Sequence, residues 1–244
     1  HTKLAVRARS VAMAASAAVA DATIASKCAA FVREELSAND SSHDWFHIDR
    51  VRNTAVALAK AEGLDASAQA TVELAALLHD LKDWKYSGDE DAGPLAAEAW
   101  LVEHGADASL AALVKTVVAS VGFKTELGGS SPADALSGAD RTIFEVVQDA
   151  DRLDAIGAVG IARCFTFGGA HGRTIYDPAI KPRIGLSKEE YKLGNPTSLN
   201  HFYEKLLTLK DRMKTPSGRA MADARHRHME LFLEQFLAEC KGER

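Results

Sequence analysis

A chain of 244 residues, 47% of them hydrophobic, can bury a sizeable core as one large domain or two small ones. Its net charge of -5 argues against nucleic acid or an anionic membrane surface as the main partner, because phosphate-rich surfaces demand clustered positive charge. Cys28, Cys164 and Cys240 are widely spaced with no CxxC pair, which excludes a disulfide framework and a cysteine-held structural zinc, and a reducing, cytoplasmic setting is expected.

Residues 1–20 stand apart. They carry Lys3, Arg7 and Arg9, many alanines and serines, and no acidic residue before Asp21. That composition suits the remnant of a chloroplast or mitochondrial transit peptide, and equally a disordered or alanine-rich extension. No window approaches the ~20 apolar residues of a membrane span. A single domain is expected over 21–244.

Asp21–Leu36 has helical apolar spacing, with Ile24, Cys28, Phe31 and Val32 on one face. A polar break, Ser37–Ser42, offers N-cap chemistry to a second helix over Asp44–Glu62, with Phe46, Val51, Ala55 and Leu58 inward. A third helix spans Asp65–His79, and Lys82–Ala92 is charged and loop-like. Pro94 suits the first turn of a helix that runs to His104, and Asp107–Val121 forms the next. Thr125–Ser137 reads as a surface loop, and Ala139–Leu153 as a helix continuing through Ala155–Phe165. Gly168–Pro196, rich in glycine and proline, reads as a long irregular lid-like loop, whose Arg173, Lys181 and Arg183 could close over a polyphosphate. Two helices, Ser198–Met213 and Ser217–Glu239, close an all-α chain with no alternating strand pattern.

One dipeptide departs from this patterning. His79-Asp80 closes the apolar run Thr71–Leu78 with two residues that both ligate divalent cations. Upstream, His43 and His47 are four apart, so one imidazole can ligate while the other contacts substrate. Downstream, three aspartates crowd into Gln148-Asp-Ala-Asp-Arg-Leu-Asp154. A His, a His-Asp pair and a later Asp form a two-nitrogen, two-oxygen set. Such a set suits one ion of Mn²⁺ above all, or Mg²⁺, Co²⁺, Fe²⁺ or Ni²⁺.

In this order the residues resemble the HD-domain metal-dependent phosphohydrolases, which are all-helical. His43-Asp-Trp-Phe-His47-Ile-Asp-Arg50-Val51, Leu78-His-Asp and Asp149-Ala-Asp-Arg-Leu-Asp-Ala-Ile-Gly157 look like one compact branch of that family. So do Gly160-Ile-Ala-Arg163 and Asn200-His-Phe-Tyr-Glu-Lys-Leu-Leu207, and members of the branch are linked to nucleotide pyrophosphohydrolase activity. The resemblance implies a single HD-domain helical bundle with His47, His79, Asp80 and Asp151 as metal ligands. It leaves Asp149 and Asp154 to support them. It also implies Asp83 as the group that activates or orients water.

Phosphate chemistry needs fixed cations where charge develops. Arg50, Lys85, Arg152, Arg163 and Lys205 lie in or beside the quoted motifs, and Lys124 is a further phosphate contact to consider. His43 and His201 are candidates to hydrogen-bond substrate. Arg163 is expected to lie far from Asp151, about three turns away on a continuous helix. The leading function is hydrolysis of a (d)NTP to the monophosphate and pyrophosphate. A phosphomonoesterase releasing phosphate and a non-catalytic nucleotide-binding protein are the alternatives. The expected partner is a small-molecule nucleotide, with neither nucleic acid nor membrane, and a homodimer is allowed.

Overall fold

A computed structural model describes residues 24–82, 89, 91–187, 190 and 197–243. The described residues form helices and irregular connections, with no strand among them, as the patterning predicts. Helix α1 covers 24–35, α2 Trp45–Ala61, α3 Ala66–Leu78, α4 Ala92–Glu103 and α5 Ala108–Ser120. They are followed by α6 Phe123–Leu127, α7 Gly138–Asp154, α8 Gly157–Ala170, α9 Ser198–Glu204 and α10 Pro216–Cys240. None is long and apolar enough by itself to cross a membrane.

Helix α2 packs on α3 and α7, α3 also meets α5 and α7, and α10 lies across α7 and α8. The buried stripe of α2 is His47, Ile48, Val51, Ala55, Leu58 and Ala59, a helical repeat that places a histidine among core residues. Phe46 does not join it. Expected inward, it is 61% exposed, because it lies well round the helix from Val51 and Ala55, and Ile48 takes the core position instead. Asp44 caps α2 by accepting from His47 N at 3.1 Å, and Asp65 caps α3 by accepting from Ala68 N at 2.9 Å.

Three expected elements differ. Thr125–Ser137 is not a plain loop: α6 runs into it as far as Leu127 and a 3₁₀ turn covers Pro132–Ala135. The expected helix Ser198–Met213 stops at Glu204 and continues as two 3₁₀ turns, Leu206–Thr208 and Lys210–Arg212. The third difference matters most for the site. Helices α7 and α8 are not continuous but bend by 69°. Gly157 turns the chain there with φ +75°, and a Cβ on it would lie 2.9 Å from Arg225 Cβ of α10. Arg225 donates through its NH1 nitrogen to the Leu153 carbonyl, closing the C-terminal end of α7.

The stretch 171–187 is irregular, as expected. Its described part is tied down rather than loose. Ser198 N and Leu199 N donate to the Thr174 and Ile175 carbonyls, and Arg183 is paired with buried Glu204. Arg173 lies over the Phe167 ring and Lys181 is exposed, so the described basic residues of this stretch are not on the cavity wall described below.

Candidate active site

The site is assembled from three buried elements. His47 comes from the core face of α2, His79 and Asp80 from the turn that follows α3, and Asp151 from the last turn of α7. His47 Nε2 lies 3.3 Å from Asp80 Oδ2 and 3.7 Å from Asp151 Oδ1. His79 Nε2 lies 3.6 Å and 3.7 Å from the same two oxygens. Ligand atoms of His47, His79 and Asp80 all fall within 4.8 Å of one another.

The outer nitrogen of each imidazole is occupied. His47 Nδ1 is 2.8 Å from Asp154 Oδ2, and His79 Nδ1 is 2.8 Å from the Ala76 carbonyl. Acceptors at Nδ1 place the proton there and turn both Nε2 lone pairs toward the carboxylates. Both Nε2 atoms are buried without a hydrogen-bond partner. Two lone pairs facing two carboxylates repel unless positive charge sits between them, either a proton or an ion, and the nitrogen and oxygen donors suit a divalent ion. Burial pulls the His79 imidazole down, but Asp80 and Asp151 outweigh it and lift it to about 9. Burial opposes the charge on Asp151, yet His79 holds its carboxyl well below the usual carboxylate range.

Supporting contacts fix these candidate ligands. Asp154 accepts from Arg50 Nε at 2.7 Å and lies 3.1 Å from the NH1 nitrogen of Arg163. Burial would raise the Asp154 carboxyl, but its contacts with His47 and Arg50 hold it well below the usual range. Asp149 faces away from the ligands. It accepts from Lys214 N, Thr215 N and Thr215 Oγ1 and so anchors the start of α10. The turn bearing His79-Asp80 is held close to α4: a Cβ on Gly93 would lie 2.4 Å from the Leu81 carbonyl oxygen.

A cavity of about 360 Å³ opens on this corner. His79, Asp80 and Asp151 line it, together with His43, Lys124, Arg152, Arg163 and Lys205. His43 precedes the Asp44 cap rather than riding on α2, and its Nδ1 is 2.8 Å from Ser42 Oγ. Lys124 is buried on α6, and Lys205 Nζ stands 5.1 Å above the Phe123 ring. Arg163 reaches the site because of the bend between α7 and α8, which folds it back onto Asp154.

Two sequence candidates lie off the cavity wall. Arg50 is engaged by Asp154 with both its Nε and an NH2 nitrogen, so it orients a carboxylate beside the ligands. His201 is half-buried on α9 and is not on the wall. Asp83 and Lys85 lie outside the described residues. Phe165 packs among Phe202, Phe232 and Phe236, and Trp45 packs against the core, so neither is placed to stack on a ligand in the cavity.

Sequence reasoning missed Glu126. Its Oε2 lies 2.8 Å from an NH2 nitrogen of Arg152 and 3.1 Å from NH1 of Arg212, and its Oε1 is 2.8 Å from Lys214 Nζ. These partners are 26, 86 and 88 residues away, so no local spacing signals them. Arg152 is 3% exposed, also donates to the Arg212 carbonyl, and keeps a buried Nε–H with no acceptor.

No protein-family profile matches the chain. The Bacillus subtilis protein YpgQ is 35% identical over 212 residues, which cover 87% of this chain and 91% of YpgQ. A crystal structure of YpgQ in complex with ADP superposes with a TM-score of 0.65 at 32% identity, covering 90% of this chain and 96% of that one. A Bacillus thuringiensis HD-superfamily hydrolase is 38% identical, covering 91% of this chain and 98% of that one, with a TM-score of 0.67. Similarity over nine-tenths of the length, with His47, His79-Asp80 and Asp151 converging on one buried corner of a helical bundle, means that this chain belongs to the HD superfamily of metal-dependent hydrolases.

Proposed function

We propose that the chain hydrolyses nucleoside triphosphates, deoxy or ribo, to the monophosphate and pyrophosphate. The observation that carries this reading is a pairing of complementary groups at one cavity. His47 Nε2 and His79 Nε2 face two carboxylates without a hydrogen-bond partner, and Lys124, Arg152, Arg163 and Lys205 stand on the wall beside them with positive charge to offer. A cation suits the first group and an anion the second, so a metal-bound phosphate suits both. The ADP bound to YpgQ supports a nucleotide as the source of that phosphate.

His47, His79, Asp80 and Asp151 would hold the ion, with manganese the first to try. When bound, it polarises a phosphoryl oxygen and lowers the pKa of water. The protein's own groups do the rest. Asp154 and the Ala76 carbonyl hold the two imidazoles in the ligating tautomer. Lys124, Arg152, Arg163 and Lys205 offer positive charge to the phosphate oxygens as negative charge develops on them. Asp83, three residues after Asp80, is our candidate for orienting the attacking water. A water oxygen bonds to the α-phosphorus, the bond to the bridging oxygen breaks, and pyrophosphate leaves.

The test is purified protein with Mn²⁺ and a panel of (d)NTPs and NMPs, with products resolved by chromatography. Pyrophosphate and monophosphate in equal amounts are expected. Phosphate released from the monophosphates, with triphosphates untouched, would replace this reading with a phosphomonoesterase.

A further inference from the structure

Glu126 belongs to no metal-ligand set, and on this chain it serves one visible purpose. It gathers three cations, Arg152, Arg212 and Lys214, around one carboxylate. One carboxylate thus braces three cations, with Asp149 and Asp151 the other anions acting on Arg152. Helix α6, which bears Glu126, also supplies Phe123 and buried Lys124 to the cavity wall. The Phe123 ring carries Lys205 Nζ at 5.1 Å and the Arg212 guanidinium at 5.2 Å. A single helical turn therefore braces Arg152 and Lys205 on the wall beside the acidic, metal-holding corner, with Arg212 and Lys214 off that wall.

Arg152 shows why the brace matters. It follows Asp151 directly and lines the cavity, yet its NH1 and NH2 nitrogens are spent on the Arg212 carbonyl and on Glu126. A guanidinium held at two points has its remaining N–H groups fixed in direction.

We propose that Glu126 is a positioning residue: it holds Arg152 on the cavity wall to receive the phosphates remote from the metal, and so favours tri- over monophosphate ligands. The proposal rests on the reading of this cavity as a metal-assisted phosphate site. Its test uses binding alone, so a failure to see hydrolysis would count against the proposed reaction without touching it.

Titrate the Mn²⁺-saturated protein calorimetrically with an α,β-methylene nucleoside triphosphate and with the monophosphate of the same nucleoside. Glu126→Gln should weaken the triphosphate about tenfold, as loss of one charge-assisted contact implies. It should leave monophosphate and Mn²⁺ affinity unchanged. Glu126→Asp keeps the charge with a shorter reach and should fall between wild type and Glu126→Gln. It also carries the test if the glutamine variant does not fold. Equal weakening of both nucleotides, an unchanged triphosphate affinity, or a wild type without preference for the triphosphate would each overturn the proposal.

Discussion

The Asp154 carboxylate meets His47 Nδ1 at 2.8 Å across 107 residues of sequence, and through that contact α7 orients a candidate metal ligand on α2. Asp154→Asn retains an acceptor but no longer balances Arg50 and Arg163. Divalent-metal affinity should drop roughly 10–100-fold, the usual effect of losing a partner behind a metal-ligating histidine. Isothermal titration with Mn²⁺ reads this directly, and an unchanged affinity would remove Asp154 from the metal site.

Bound metal should stabilise the fold. At about 100 times its Kd an ion adds about 2.7 kcal/mol, visible as a rise in melting temperature. His79→Ala and Asp80→Ala should lose that rise while keeping wild-type helix content by circular dichroism. A metal-induced rise that survives in both variants would show that the ion sits elsewhere.

Gly93→Ala tests how the ligand-bearing turn is held. The added methyl would meet the Leu81 carbonyl oxygen at 2.4 Å, so α4 or the turn must move. We expect a loss of about 1–3 kcal/mol of stability, as for overpacked core sites, together with weaker metal binding. Thermal melts and Mn²⁺ titration check both effects.

Glu126 predicts a pH dependence. Burial raises its carboxyl, but Arg152, Lys214 and Arg212 outweigh that and hold it below its ordinary 4.5. A group depressed in the folded state contributes stability that is complete above the unfolded pKa and lost as the pH falls through the folded one. Wild type should therefore melt above Glu126→Gln at neutral pH, by roughly 2 kcal/mol for a brace on a buried arginine. The gap should close as the pH falls below 4.5. A constant gap across that range would mean that the charge on Glu126 does not matter.

The cysteines should differ sharply in reactivity. Burial pushes the Cys28 and Cys164 thiols up to about 12, whereas Cys240 is exposed. A disulfide reagent at neutral pH should modify Cys240 rapidly in the native protein, with the other two reacting only in denaturant. Rapid native labelling of Cys28 would contradict its burial in the core.

The helical class and most helix starts were legible in the chain, for reasons that are local, and resemblance to the family pointed to the residues that meet at the candidate metal corner. Apolar residues at spacings of three and four mark the buried faces of α2 and α3, and Asp44 and Asp65 stand where caps are needed. His47 and His79 are polar residues at positions that this spacing assigns to the core, and such exceptions point to function. Local periodicity was less sure at single positions, as Phe46 shows, since an aromatic near the edge of a stripe turns either way.

Tertiary structure decided which charges meet. On a continuous helix Arg163 would lie far from Asp151, but the bend at Gly157, held by Arg225, returns it to Asp154. Arg50 was legible as a nearby cation, whereas its partner was not, because Asp154 lies on another helix. Glu126 had no signal at all, since its three partners come from α7 and from the segment before α10. Periodicity and capping act over one or two turns and can be read along the chain. Ion pairs and cavities depend on how helices cross, and that crossing is set by packing the whole core at once.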